Sequence, residues 1–437
     1  METITVKFGG SSLADARQFR KVADIIHADA RRRFVVASAP GKRSSGDTKV
    51  TDLLYRCYDA ASRGGDWHSV LDQIRQRFAD IIQDLGIDFP LDKELDAIAA
   101  HLSTEPRPDY KASRGEYLNS RILAAYLGFE FIDAATLIRF ASDGTFDDDA
   151  TNALASEALK GVERAVIPGF YGATADGVVY TFSRGGSDVT GSLVARAVKA
   201  DVYENWTDVS GMLFTDPHIV PDPRPIEYIT YRELRELAYM GASVLHEDAV
   251  FPVRKANIPI NIRNTNRPED EGTWIVGAVP TDRRIPTVTG VAGKRGFCSI
   301  NIEKSSMNGE IGFGAKLLEV FAECGISFEH CPTGIDTMSV IVASSAFAEK
   351  KDEVMEKILT RLHPEYLSVE YGMALIAVVG HGMVAARGVA ARIFRTVADA
   401  GINIRMIDQG SSELNIILGV DEADLEEAIR SIYREFR

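Results

Sequence analysis

Thr3-Ile4-Thr5-Val6-Lys7-Phe8-Gly9-Gly10-Ser11-Ser12 runs a short apolar strand into a pair of glycines, and an amphipathic run over Phe19–His27 follows. Strand, glycine turn and helix in that order open an α/β unit. Adjacent glycines let the backbone approach an anion closely and aim several N–H groups at it. Lys7, at the strand end, would put a cation on a transferring phosphoryl group. Glycine pairs at such turns also serve simply as tight turns, and the Gly-x4-Gly-Lys-Ser/Thr spacing of a Walker loop is absent.

Outward from this block the alternation continues. Phe34–Ala39 reads as a buried strand, the polar loop Pro40–Thr48 follows, and Thr51–Ala61 is helical. Ala165–Ile167, Val178–Phe182 and Ala200–Trp206 are further strands, with a helical run over Val189–Lys199. The pattern predicts an open, mostly parallel sheet flanked by helices, with ligands at the carboxyl ends of its strands. Trp67–His101 reads as a charged helical insertion or lid. Pro280–Pro286 reads as a linker, rich in proline and charge.

Beyond the linker the chain repeats itself at an offset of 76 residues. Val320-Phe321-Ala322-Glu323-Cys324-Gly325-Ile326-Ser327-Phe328 matches Thr396-Val397-Ala398-Asp399-Ala400-Gly401-Ile402-Asn403-Ile404, and Val340-Ile341-Val342 matches Ile416-Ile417-Leu418. Each copy reads helix, glycine stop, strand, turn, strand, helix. One copy buries too little surface to stand alone, so two should associate. The expected domains are 1–280, 287–367 and 368–437.

Composition bounds the function. A chain of 437 residues with 45% hydrophobic and 26% charged residues is an ordinary globular protein, too long for one core. A net charge of −14 argues against a nucleic-acid partner, which needs a basic surface. No apolar run approaches the ~20 residues of a membrane span, and no signal peptide is visible, so the expectation is a cytoplasmic protein without a membrane partner. Cys57, Cys298, Cys324 and Cys331 are irregularly spaced, which suits free thiols better than a disulfide framework or zinc site.

Three more groups of polar residues could carry chemistry. Ser183-Arg184-Gly185-Gly186-Ser187-Asp188 runs into a helix; Arg184 suits a bidentate grip on a carboxylate, and Ser187 or Asp188 equally suits a helix cap. Trp206-Thr207-Asp208 and Thr215-Asp216-Pro217 could contact a ribose, a base or metal-bound water, or simply form turns. In Ser113-Arg114-Gly115-Glu116 the glutamate could receive an ammonium group.

Taken in order, with Gly241-Ala242-Ser243-Val244-Leu245-His246 and Ile262-Arg263-Asn264-Thr265 after them, these blocks resemble the aspartate kinases of the amino-acid kinase fold. The resemblance runs from about Val6 to the end of the chain. It implies transfer of phosphate from ATP, with Mg²⁺, to the β-carboxylate of L-aspartate. That step enters lysine, threonine and methionine biosynthesis. Lys7 and Asp188 would be the catalytic residues. Ser38, Thr51, Glu116 and Arg184 would bind aspartate, Glu116 at the ammonium and Arg184 at the α-carboxylate. Lys7, Gly9, Gly10, Ser11, Thr207, Asp208 and Asp216 would bind the nucleotide. No metal-ligand set is implied.

The repeat looks like the tandem ACT modules such kinases carry, α+β and ferredoxin-like, which implies that strands of the second module interleave with the first. Met406-Ile407-Asp408-Gln409-Gly410-Ser411-Ser412-Glu413 resembles a stretch of the second module. The implied effector is lysine or threonine, with Met307, Ser327 and Glu329 lining one module's pocket and Asn403, Gln409 and Ser412 the other's. A homodimer or dimer of dimers is implied as well. The sequence departs from the family at Leu213, at His218 after Thr215-Asp216-Pro217, and at Glu247 after Leu245-His246.

Rival readings are a kinase of glutamate, acetylglutamate or a nucleotide, and a sensor with a dead kinase half. Gly380-His381-Gly382-Met383-Val384-Ala385 approaches a dinucleotide fingerprint, but it falls inside a small repeated module and reads better as a strand-to-helix turn.

Overall fold

The computed structural model describes residues 2–102, 107–183, 185–242, 245 and 247–437. They form two compact units. The first takes Met1–Met212, Pro225–Tyr231 and Val244–Val279; the second takes Leu213–Arg224, Arg232–Ser243 and Pro280–Arg437. Two short segments enclosed by the first unit's sequence therefore fold with the C-terminal stretch.

The first unit opens with β1 (Ile4–Phe8), α1 (Ala16–His27), β2 (Arg32–Ala37) and four helices, α2 (Val50–Ser62), α3 (His68–Leu85), α4 (Leu91–Leu102) and α5 (Pro108–Leu127). It continues through β3 (Glu130–Phe131), α6 (Ala134–Leu137), α7 (Asp148–Ala158), β4 (Ala165–Pro168), β5 (Tyr171–Ala173) and β6 (Val179–Thr181). Then come α8 (Gly186–Ala197), β7 (Val202–Thr207), β8 (Tyr228–Thr230), α9 (Tyr231–Tyr239), α10 (Glu247–Lys255), β9 (Ile260–Asn264) and β10 (Thr273–Val276). After its first residue α9 belongs to the second unit.

Among the described residues the main sheet has the order β3-β4-β2-β1-β7-β9-β10-β8, parallel except between β9 and β10. Strand β1 is central and wholly buried, Lys7 and Thr5 included, as suits a strand covered on both faces. Asp15 caps α1 by accepting from Gln18 N at 2.9 Å. That helix buries Phe19, Val22 and Ile26 along one face.

Two expectations need correcting. Trp67–His101 is no lid: Leu71, Ile74, Phe78 and Ile81 of α3, with Leu95 and Ile98 of α4, are buried in the same core as β1 and α5. Their helical spacing makes an apolar stripe that had to be covered. The strand expected over Val178–Phe182 does exist as β6, but it pairs antiparallel with β5 in a separate hairpin.

The second unit contains β11 (Gly290–Glu303), α11 (Phe313–Glu323), β12 (Phe328–His330), β13 (Thr337–Ala343), α12 (Ser344–Ala348) and α13 (Lys351–Leu362). It ends with β14 (Tyr366–Val379), α14 (Val389–Asp399), β15 (Met406–Asp408), β16 (Asn415–Asp421) and α15 (Leu425–Phe436). Its antiparallel sheet has the order β12-β13-β11-β14-β16-β15 among the described residues. The repeat is visible in α11-β12-β13-α13 and α14-β15-β16-α15. Gly325 and Gly401, one residue past each C-cap, take φ of 70° and 76°, the left-handed stop both copies need.

Strands β11 and β14 serve both modules. Val291 at the start of β11 joins Ile376, Ile393, Leu418 and Ile429 in one core, while Ile300 further on joins Leu317, Val340 and Ile358 in the other. Helix α9 lies on this unit: Glu233 accepts from Thr289 Oγ1 and from His381 N, each at 2.6 Å, and Glu236 accepts from Asn415 Nδ2 at 2.5 Å. Among the described residues no helix is long and apolar enough to cross a membrane.

Candidate active site

Strands β1, β2 and β7 run parallel and in register, so Lys7 faces Val36 on one side and Asn205 on the other. Their carboxyl ends bring the expected residues together. Lys7 is buried, and its Nζ lies 2.5 Å from Asp188 Oδ1. Asp188 sits in the first turn of α8, where a helix favours negative charge. Asn205 Nδ2 donates to Asp188 Oδ1 at 2.9 Å, and Lys7 Nζ to Asn205 Oδ1 at 3.5 Å. Sequence reading overlooked Asn205, although an asparagine between Glu204 and Trp206 in a buried strand is itself a signal.

Gly9 N donates to Trp206 O at 3.0 Å, which ties the glycine turn to the end of β7. Gly10 O accepts from Gly41 N at 2.8 Å, which ties it to the turn after β2. A Cβ on Gly10 would lie 2.9 Å from Ala39 O, so the turn tolerates no side chain there. Ser11 is half-buried in the following short turn of helix, Gly10–Leu13.

Ser38 follows β2; its N–H donates to Phe8 O at 3.2 Å and its carbonyl accepts from Asn119 Nδ2 at 2.7 Å. Thr51 lies half-buried in the first turn of α2. Glu116 is buried on α5, and its Oε2 has no hydrogen-bond partner. Burial pushes its carboxyl up to about 8, against smaller opposing effects from backbone amides, Ala39's foremost, and from the Arg114 charge. Gly115 lets α5 approach this closely, because a Cβ there would lie 2.9 Å from that of Ala39. One helical turn on, Asn119 Oδ1 and Ser120 Oγ are also buried without partners.

Thr207 ends β7 and donates through Oγ1 to Asp208 Oδ1 at 3.2 Å, leaving Asp208 exposed. Arg184 lies outside the described residues, as do Ser243, Val244 and His246. Asp216 belongs to the second unit, where its Oδ1 accepts from His218 N at 2.8 Å and faces His218 Nδ1 at the same distance. Among the described residues no group of three or more His, Cys, Asp or Glu side chains could hold a metal ion.

The residues expected to bind an effector are dispersed. Met307 is buried in the core of the first module, and Glu329 accepts from the Tyr239 hydroxyl. Ser327 is exposed and lines an open groove of about 750 Å³ between α11 and β12. Asn403, Gln409 and Ser412 are exposed around β15.

A buried lysine paired with a partly buried aspartate at the mouth of a parallel sheet, glycine turns beside them, and a buried carboxyl with one unpartnered oxygen suit phosphoryl transfer to an amino acid. Comparison with known proteins agrees. Residues 2–264 match the model of the amino acid kinase family, and residues 376–436 match that of the ACT domain. Aspartokinase 3 of Bacillus subtilis is 38% identical over 447 residues, covering 99% of this chain and 98% of that protein. The crystal structure of Clostridium acetobutylicum aspartate kinase superposes with a TM-score of 0.90 at 47% identity over 100% of both chains. Escherichia coli aspartokinase III, solved in an R-state with aspartate and ADP, gives 0.74 at 25% identity over 99% of both chains. Its T-state with lysine and aspartate gives 0.73 at 25% identity over 100% of both chains. The chain belongs to the amino acid kinase family and, within it, to the aspartokinases.

Proposed function

We propose that this aspartokinase transfers the γ-phosphate of MgATP to the β-carboxylate of L-aspartate, giving 4-phospho-L-aspartate. The observation that carries the amino-acid half of the reading is Glu116. A buried carboxylate with an unpartnered oxygen is costly, and a substrate ammonium repays it. An N-acetylated acid has no such cation.

The acceptor carboxylate is already ionised near neutral pH, so the step needs no strong base. Positioning and charge neutralisation carry it instead. Lys7 holds its ammonium at the end of β1, where it would meet charge developing on the phosphoryl oxygens. Asp188 and Asn205 fix that ammonium in place. Gly9, Gly10 and Ser11 would line the phosphate path, the Gly9 amide itself being held by Trp206 O, and Thr207 and Asp208 would face the nucleotide. Mg²⁺ would enter on the ATP phosphates, neutralising their charge, with the exposed Asp208 carboxylate within the chain's means to hold it. Ser38, Thr51 and Arg184 would complete the aspartate site.

Lysine, seen with Escherichia coli aspartokinase III, is the effector we assign to the second unit, with threonine as the alternative. Effector sites at Met307, Ser327, Glu329, Asn403, Gln409 and Ser412, and a homodimer or larger assembly, belong to the same reading. Four unpaired thiols fit a cytoplasmic setting.

The test is MgATP-dependent acyl phosphate formation, trapped as a hydroxamate, with L-aspartate, L-glutamate and N-acetylglutamate in parallel. Turnover with aspartate, inhibited by lysine, is the expected result. Turnover with N-acetylglutamate instead would overturn the reading of Glu116.

A further inference from the structure

We propose that Arg77 is a positioning residue, which locks the turn after β1 and the loop after β2 at the spacing two substrates need. The inference rests on assigning Gly9–Ser11 to the phosphates and Ser38 with Thr51 to the amino acid.

Arg77 lies mid-way along α3, is 4% exposed, and precedes the fully buried Phe78. Its guanidinium reaches four acceptors on three stretches of chain. Nη2 donates to Gly41 O at 2.7 Å and to Ala14 O at 3.4 Å. Nη1 donates to Asp47 Oδ2 at 2.6 Å and to Thr48 O at 3.2 Å. Ala14 follows the Gly10–Leu13 turn, and Thr48 leads into α2 and Thr51.

Gly41 is the point where the two loops touch. Its N–H donates to Gly10 O at 2.8 Å while its own carbonyl is held by Arg77. A Cβ on Gly41 would lie 2.6 Å from Gly10 C and 2.8 Å from Ser11 N, so backbone meets backbone with no side chain between. Such a contact transmits any shift of one loop directly to the other.

Stability alone does not call for this arrangement. A buried ion pair is often matched or bettered by apolar residues of similar volume, and here Nε has no partner at all. What the planar fork supplies is geometry, several donors at fixed angles from one rigid group. A lysine ammonium at the same place is a point charge on a flexible stem and cannot span the three segments. Arg77 contacts no residue assigned to chemistry, and it acts through the loops.

The experiment compares wild type, Arg77→Lys and Arg77→Met in the full chain, with Gln73→Ala on the exposed side of α3 as control. It reads kcat, KM for aspartate and ATP, thermal midpoint, and hydrogen exchange by peptide. Expected is a rise of about tenfold or more in both KM values for both Arg77 variants, since displacements near 1 Å can cost ~10²-fold. Faster exchange should be confined to residues 9–14 and 41–51. Wild-type KM values with unchanged exchange in Arg77→Lys would overturn the proposal. So would faster exchange spread over the whole core, with activity tracking only the folded fraction. Should wild type itself not use aspartate, the functional reading fails, and the exchange pattern still decides the role of Arg77.

Discussion

Glu116 is the residue whose chemistry is most exposed to test. An unfolded glutamate ionises near 4.5, whereas the buried one holds its proton to about 8. Between those values the folded free enzyme binds more protons than the unfolded chain, so its stability falls as pH rises. Each unit of separation is worth about 1.4 kcal/mol. Thermal midpoints measured from pH 5 to 8 should therefore decline, and Glu116→Gln should flatten that slope. An ammonium beside Glu116 favours its ionised form, so aspartate binding at pH 7 should release a proton. Calorimetry in two buffers of different ionisation enthalpy reads this directly, and Glu116→Gln should abolish it while raising the aspartate KM tenfold or more. Lys7→Met should cut kcat by about 10²-fold or more, as loss of a group aimed at transition-state charge does. It should also leave the partly buried Asp188 without its cation, a destabilisation that a lowered thermal midpoint would show. A kcat within threefold of wild type would remove Lys7 from the mechanism. Lys7, Glu116 and Asp188 were legible because motif blocks carry them. Asn205, Asn119 and Arg77 were not, because their partners lie 17 to 198 residues away and only folding makes them neighbours.

At the scale of elements, the turn after β2 is decided by how closely it passes the turn after β1. Gly41→Ala would force a Cβ to within 2.6 Å of Gly10 C, and overpacking of this kind costs about 1–3 kcal/mol. Gly46→Ala in the same loop meets nothing within 4 Å and should be neutral or slightly stabilising. Denaturant midpoints for the pair separate the two cases, and equal losses would refute the close-contact account. Periodicity located about half of the helices and strands of the first unit, since apolar spacing reports which face is covered. It could not say what covers that face. The helices α3 and α4 therefore read as an insertion although they complete the core, and β6 read as a strand of the main sheet although it pairs only with β5.

At the scale of the whole molecule, the repeat shows duplication, but the two copies are not separable. Because β11 and β14 each feed both cores, a C-terminal fragment of 280–367 should lack the strands beside its first half and fail to fold. A fragment of 280–437 should retain both cores, though Phe214, buried in the second of them, is then missing. Circular dichroism and dispersion of amide resonances distinguish these outcomes, and a well-folded 280–367 fragment would contradict shared strands. The sequence by itself determined the parallel α/β half, the duplicated α+β half, the glycine turns and most of the charged groups at the site. These depend on local spacing and on the residue types that a turn or strand end admits. Only the tertiary structure decided that residues 213–224 and 232–243 join the C-terminal unit, which two strands serve both of its cores, and that Arg77 reaches three separate segments. Hydrogen bonds and apolar contacts between residues far apart in the chain leave no period in the sequence, so they become readable only once the chain has closed on itself.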